Sequence, residues 1–232
     1  MSRVAHIVVA AGSGSRFGSD VPKQYCLLSG RPVVMHAIDA LRRAVPGSDV
    51  VLVISREMES FWHELCREHG FASPAIAYGG ATRWHSVKNG LAMLPPDCSV
   101  VTVHDGARPL VPAEVVRAAV EAVDSGADGA VPAVAVTDSL RHIAPGSDGP
   151  GRAVTRSEYV AVQTPQAFRR SLLEQAYAAE FRPEFTDDAS VMESAGFGDL
   201  RITPGSPVNI KITNPDDLAV AELLASRMAV KR

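Results

Sequence analysis

The sequence predicts an α/β domain: a mostly parallel β-sheet with helices on both faces. Three observations carry this. Apolar, β-branched runs alternate with segments of helical periodicity through the first half of the chain. Those runs are continuous, as in strands buried on both sides. Polar clusters follow three of them, at residues 10–24, 79–83 and 104–109. In parallel sheets the loops beyond the strands' carboxyl ends gather along one rim, where ligands sit.

In chain order, residues 4–9 read as a buried strand and a helical pattern begins near Pro32. Residues 50–54 are a strand, 58–69 a helix and 75–78 a short strand. Residues 82–94 read as a helix with Val87, Leu91 and Leu94 on one side, stopped by Pro95 and Pro96. Residues 99–103 return to strand. Residues 112–123 form an amphipathic helix, because Val115, Val116, Ala119, Val120 and Val123 fall three or four apart. Residues 127–136 are a further strand.

The alternation breaks between 137 and 164. Pro145, Gly146, Gly149, Pro150 and Gly151 mark a turn-rich tip between legs at 139–143 and 153–162, a projecting hairpin arm. So small a pair of strands has too little core to stand alone and calls for a partner, a second copy of the chain. A long loop is the alternative. Residues 170–179 are helical, and 186–190 resemble a helix start with aspartates at the positive end of its dipole. Residues 199–202 and 208–212 read as short strands. The last helix opens on Asn214 as cap, Pro215 at the first helical position and Asp217 in the first turn. The expectation is one domain over 1–232 with a dimerisation arm at about 138–162.

A chain of 232 residues can bury a substantial core. The net charge of −3, with Lys and Arg dispersed, gives no support for nucleic-acid binding. No apolar run reaches membrane-spanning length and no signal-peptide layout is present. Cys26, Cys66 and Cys98 lack metal-like spacing and read as reduced thiols of a cytoplasmic protein.

The first loop, with Ala11, Gly12, Ser13, Gly14 and Arg16 followed by Lys23, suits a polyphosphate. Glycines let bare backbone N–H groups approach the anion, and two cations offset its charge. It is neither a dinucleotide fingerprint, since Phe17 stands where a third glycine belongs, nor a Walker loop, since Gly-Lys-Ser/Thr is missing. On the glycines alone a ligand-free turn stays open.

Arg83 and Ser86 lie three apart near a helix start beside Gly79 and Gly80, placed for a base, a ribose or a phosphate edge. Asp105 emerges at a strand's carboxyl end, where it can meet Mg²⁺, a sugar hydroxyl or simply Arg108. A His104–Asp105 pair is discounted, because neighbours on an extended chain point opposite ways. Lys211 alternates with Ile210 and Ile212, and that pattern favours an outward, solvated lysine.

Together, residues 10–16, 22–25, 79–87, 104–109, 163–166, 186–190 and 209–213 closely resemble the 2-C-methyl-D-erythritol 4-phosphate cytidylyltransferase family, in order and at the family's spacing. The resemblance implies a Rossmann-like nucleotidyltransferase fold and a cytoplasmic homodimer with interlocking arms. It implies CTP and methylerythritol phosphate as substrates, Mg²⁺ as cofactor, and neither a nucleic acid nor a membrane as partner. It casts Arg16 and Lys23 as stabilising charge at the α-phosphate, with Lys211 and Arg156 also catalytic, Lys211 positioning the attacking phosphate. Ala11, Gly12, Ser13, Gly14, Gly80, Arg83, Ser86, Asp105 and Gly106 would hold the nucleotide. Asp105, Arg108, Ser139, Arg156, Thr164 and Thr186 would bind the alcohol phosphate, Ser139 and Arg156 reaching in from the partner's arm. The resemblance implies no metal ligand among the side chains. Ala10, Gly106 and Ser139 depart from residues usual in the family, but each keeps the relevant backbone or hydroxyl group. The competing readings are a ribitol 5-phosphate cytidylyltransferase, which differs in the alcohol pocket, and a non-catalytic nucleotide-binding regulator.

Overall fold

The computed structural model describes residues 2–12, 21–146 and 148–230. In chain order it runs β1 (Val4–Val9), β2 (Leu27–Leu28), β3 (Arg31–Pro32), α1 (Val33–Ala44), β4 (Asp49–Ile54), α2 (Glu59–Glu68), β5 (Ala75–Tyr78), α3 (Arg83–Leu91), β6 (Val100–Asp105) and α4 (Ala113–Asp124). It continues with β7 (Gly129–Ala135), β8 (Arg141–His142), β9 (Arg152–Ala153), β10 (Val160–Val162), β11 (Gln166–Arg169), α5 (Arg170–Ala178), α6 (Asp188–Ser194), β12 (Leu200–Pro204) and α7 (Pro215–Val230).

The main sheet has eight strands. β1 lies between β4 and β6, parallel to both, and β5 extends the sheet parallel to β4. β11 runs antiparallel between β6 and β7, which therefore share a direction, and β12 is parallel to β7. β10 pairs antiparallel with the far end of β7. The expected mostly parallel sheet is present.

Both faces are buried, and the residue-by-residue alternation of a strand divides them. Ile7, Val51, Val53 and Val103 meet Trp84, Val87, Leu173 and Met192 on one side. Val8, Leu52 and Ile54 meet Ile38, Leu41, Trp62 and Val116 on the other. α7 closes a smaller cluster with Leu28, Val33, Leu110 and Ile212.

The structure differs from the sequence reading in several places. Residues 208–212 form no strand; their hydrogen bonds go to the ends of other elements, with the Ile212 N–H donating to the Ala107 carbonyl at 2.9 Å. Alternating isoleucines mark burial, and here Ile212 is buried by α7 without any ladder. Gln166–Arg169 forms the strand β11, which the sequence hid, because four residues ending in arginine carry no strand signature until two neighbours enclose them. The two legs expected of a hairpin pair only over two residues each: Arg152–Ala153 pairs with Arg141–His142, whereas Val160–Val162 pairs back onto β7. The helix expected to reach residue 94 ends at Leu91.

Two fully buried histidines lie side by side in the sheet. His6 Nδ1 is 2.7 Å from Thr102 Oγ1, and His104 occupies β6 two residues on. Burial pushes His6 down to about 3 and His104 to about 4. Unfolded imidazoles protonate near 6.5 (roughly the free value), so the unfolded chain binds more protons below that pH and stability drops as pH falls. Each histidine should contribute a slope of up to about 1.4 kcal/mol per pH unit between roughly pH 6 and pH 4. Urea midpoints measured across that range should decline steadily; a flat profile from neutrality to pH 5 would contradict the assignment.

Candidate active site

The carboxyl ends of β1, β5 and β6 open on one cleft of about 520 Å³. Ala11 and Gly12 follow β1, Lys23 and Gln24 form its far lip, and Gly80, Arg83 and Ser86 come from the start of α3. Asp105 stands at the end of β6, and Lys211 enters from the segment before α7. The described wall thus sets Lys23, Arg83 and Lys211 against a single carboxylate, Asp105.

Asp105 is the hub of the charges. Lys211 Nζ is 2.8 Å from its Oδ2, Arg83 Nε is 3.6 Å from Oδ1 and Arg108 Nε is 3.8 Å from Oδ2. Burial alone would raise its pKa, but Arg83, Lys211 and Arg108 outweigh that and hold the carboxyl well below the usual range. It is ionised at every pH the protein normally meets.

Arg83 is clamped from behind. Its Nη1 and Nη2 donate to Asp188 Oδ1 and Oδ2 at 3.0 and 2.7 Å, the two-pronged geometry a guanidinium favours. The Tyr177 hydroxyl donates to the same carboxylate at 2.6 Å, and the Asp188 side chain is wholly buried. Burial opposes charge on Arg83, but Asp188 and then Asp105 more than offset it, so the guanidinium stays protonated.

The backbone around the cleft is held by side chains chosen for reach. Gln24 Nε2 donates to the carbonyls of Ala10 and Gly12 at 2.7 and 2.9 Å, pinning the loop's start. Ser86 Oγ accepts the Gly80 N–H at 3.1 Å and donates to the Thr82 carbonyl at 3.0 Å, while Thr82 caps α3. At Gly79 a Cβ would lie 2.3 Å from the Ala11 Cβ, so only glycine lets these two loops meet.

Ala11, Gly12, Lys23, Gly80, Arg83, Ser86, Asp105 and Lys211 therefore converge, as the sequence reading placed them. Lys211 is exposed, as the alternation suggests, and its ammonium also reaches Asp105 at the cleft. Gly106, Arg108 and Thr164 lie behind the wall. Gly106 packs so tightly that a Cβ would sit 3.1 Å from the Val9 carbonyl. Arg108 Nη1 donates to the Asn209 carbonyl at 2.8 Å. Thr164 Oγ1 accepts the Asp105 N–H at 3.0 Å. Thr186 is exposed at the start of α6, and Ser139 and Arg156 are exposed on the arm, where Arg156 Nη1 donates to the Thr137 carbonyl. Ser13, Gly14 and Arg16 lie outside the described residues.

Asp188, Tyr177 and Gln24 were not singled out from the sequence. Asp188 stood out as part of a helix start and of a family-matching segment, with no role of its own, and nothing local says that a residue 105 positions from Arg83 will be its partner.

A loop pinned by Gln24 at the carboxyl rim of a mostly parallel sheet, with cations from distant segments around one cleft, suits a nucleotidyltransferase. Residues 4–227 match the family described as 2-C-methyl-D-erythritol 4-phosphate cytidylyltransferase, and the chain belongs to that family. It is 45% identical over 219 residues to the cytidylyltransferase of that name from Bacteroides thetaiotaomicron, covering 94% of this chain and 97% of the relative. It is 42% identical over 228 residues to the bifunctional enzyme IspD/IspF of Desulforudis audaxviator, covering 97% of this chain but 57% of that longer protein. The solved 4-diphosphocytidyl-2C-methyl-D-erythritol synthase from Anaerococcus prevotii superposes with a TM-score of 0.80 at 26% identity, covering 97% and 96% of the two chains. The 2-C-methyl-D-erythritol 4-phosphate cytidylyltransferase of Thermus thermophilus does so with a TM-score of 0.73 at 30% identity, covering 97% and 99%.

Proposed function

We propose that the cleft transfers CMP from CTP to 2-C-methyl-D-erythritol 4-phosphate, releasing pyrophosphate and forming 4-diphosphocytidyl-2-C-methyl-D-erythritol. The observation that carries this is the gathering of Lys23, Arg83 and Lys211 around one rim in a chain of this family. The attacking phosphate is ionised at neutral pH and needs no general base. Its approach to the α-phosphorus is a meeting of two anions, so alignment and charge neutralisation supply the catalysis. Lys23, with Arg16 by resemblance, would stabilise the charge at the α-phosphate. Gly12, Gly80, Arg83 and Ser86 would seat the nucleotide, and Lys211 and Asp105 the alcohol phosphate.

Among the described residues no cluster of three or more His, Cys, Asp and Glu could cage a metal, and the wall's one carboxylate already holds Lys211. That donor set fits Mg²⁺ carried mainly on phosphate oxygens and water, its usual mode. When bound, the ion would offset charge between the phosphates.

Exposed apolar side chains in this region support a homodimer: Tyr159, Val160 and Val162 are 45–49% exposed and Ile143 is 54% exposed. Ser139 and Arg156 would then serve the partner's cleft. Among the described residues no helix is long and apolar enough to cross a membrane, and the enzyme would work in the cytoplasm.

Pyrophosphate release with CTP tests the function. Turnover should proceed with methylerythritol phosphate and run at least about a hundredfold slower with ribitol 5-phosphate. Equal rates would favour the ribitol enzyme, and no release with either would favour a regulator. Arg156→Ala should raise the KM for the alcohol phosphate about tenfold and leave calorimetric CTP binding nearly unchanged. Equal loss of both would remove the arm from the acceptor site.

A further inference from the structure

Behind the acceptor rim sits a buried relay whose proton directions the geometry determines. His104 is fully buried and both ring nitrogens have partners. Nε2 is 3.0 Å from the Arg108 carbonyl, which can only accept. Nε2 therefore carries the hydrogen. The ring is neutral, because burial holds its pKa near 4, so Nδ1 presents a lone pair. Nδ1 is 3.1 Å from Thr164 Oγ1, and the Thr164 hydroxyl must donate to it. The same oxygen accepts the N–H of Asp105 at 3.0 Å. The opposite tautomer would set a lone pair against the Arg108 carbonyl, a buried repulsion with no compensating bond.

From this relay we infer that His104 is a positioning residue: through the Thr164 hydroxyl and the Arg108 carbonyl it fixes the turn that presents Asp105 to the cleft and holds Arg108 behind it. The Arg108 N–H closes that turn on the Asp105 carbonyl at 2.9 Å, and Asn209 Nδ2 reaches the Thr164 carbonyl at 2.8 Å, bringing in the segment that carries Lys211. A consequence follows for recognition. With its proton committed to His104 and its oxygen accepting the Asp105 N–H, Thr164 acts on the alcohol through the placement of Asp105.

The inference rests on the acceptor lying at Asp105 and Lys211, and the tests separate the two. Two-bond proton–nitrogen correlation spectra of the full-length protein near neutral pH should show His104 as the Nε2–H tautomer. The Nδ1–H form would overturn the relay whatever the substrate proves to be. His104→Gln can keep the donor to Arg108 but loses the Nδ1 acceptor, and Thr164→Val removes the hydroxyl in the same volume. Each should raise KM for the alcohol phosphate and lower kcat, about tenfold in kcat/KM, with the calorimetric CTP affinity within about twofold. The double variant should be no worse than the poorer single one, because both break one chain of bonds. Multiplying effects, or equal loss of CTP binding, would overturn the inference. Thr164→Ser should restore most of the Thr164→Val loss. If His104→Gln does not fold, the tautomer spectrum and the Thr164→Val and Thr164→Ser pair decide alone.

Discussion

Replacing Lys23 with alanine should lower kcat about a thousandfold while leaving the KM for CTP within about threefold. Lys23 lies on the lip of the cleft, in the short turn Lys23–Tyr25 that the next residue, Gln24, ties to the carbonyls of Ala10 and Gly12. The turn that carries Lys23 is thus tied to Ala10 and Gly12, and Lys23 lines the same cleft as Arg83 and Lys211. In the ground state the charge of CTP is spread over three phosphates, and several groups share its binding. As the bond to pyrophosphate breaks, charge moves towards the leaving oxygens, and a fixed ammonium gains most at that moment. Loss of one preorganised electrostatic donor typically costs two to three orders of magnitude (roughly 10²–10³). Lys23→Arg should recover only part of the rate, since a planar fork replaces a point charge. Steady-state kinetics with both substrates varied check this. A loss confined to KM would make Lys23 a uniform binding group.

Asp188→Ala should destabilise the fold by about 2–3 kcal/mol, less than a buried charge left wholly unpaired would cost, because Asp105 stays 3.6 Å from Arg83. The carboxylate is wholly buried and accepts two bonds from Arg83 and one from Tyr177. Removing it strands a guanidinium that is already largely out of water and frees it to swing towards Asp105, 3.6 Å away. The urea midpoint should fall with an unchanged m-value, and CTP affinity should fall as well, because Arg83 would no longer be aimed into the cleft. Asp188→Asn keeps the shape and should cost less stability than alanine. A midpoint within experimental error of wild type would mean that Arg83 is held by something other than Asp188.

Much of the molecule was legible before any coordinates. The continuous runs at β1, β4 and β6 specify strands buried on both faces, because apolar surface on both sides of a strand must be covered. The spacing of Val115, Val116, Ala119, Val120 and Val123 specifies the buried stripe of α4. Parallel strands then bring their carboxyl ends together, so the meeting of Gly12, Gly80, Arg83 and Asp105 follows from local pattern plus one rule of topology.

What the sequence determined by itself was the periodicity of each segment and the chemical types gathered after the strands. The tertiary structure alone decided which groups touch. Exposed Lys211 finds Asp105 at the cleft because of where the segment before α7 is packed; β11 is a strand because β6 and β7 flank it. Asp188 reaches Arg83, and His104 reaches Thr164, across 105 and 60 positions of chain. Periodicity reports what a residue's own backbone does over a few turns or pleats. A hydrogen bond between distant segments depends on how whole elements pack, and no local pattern carries that information.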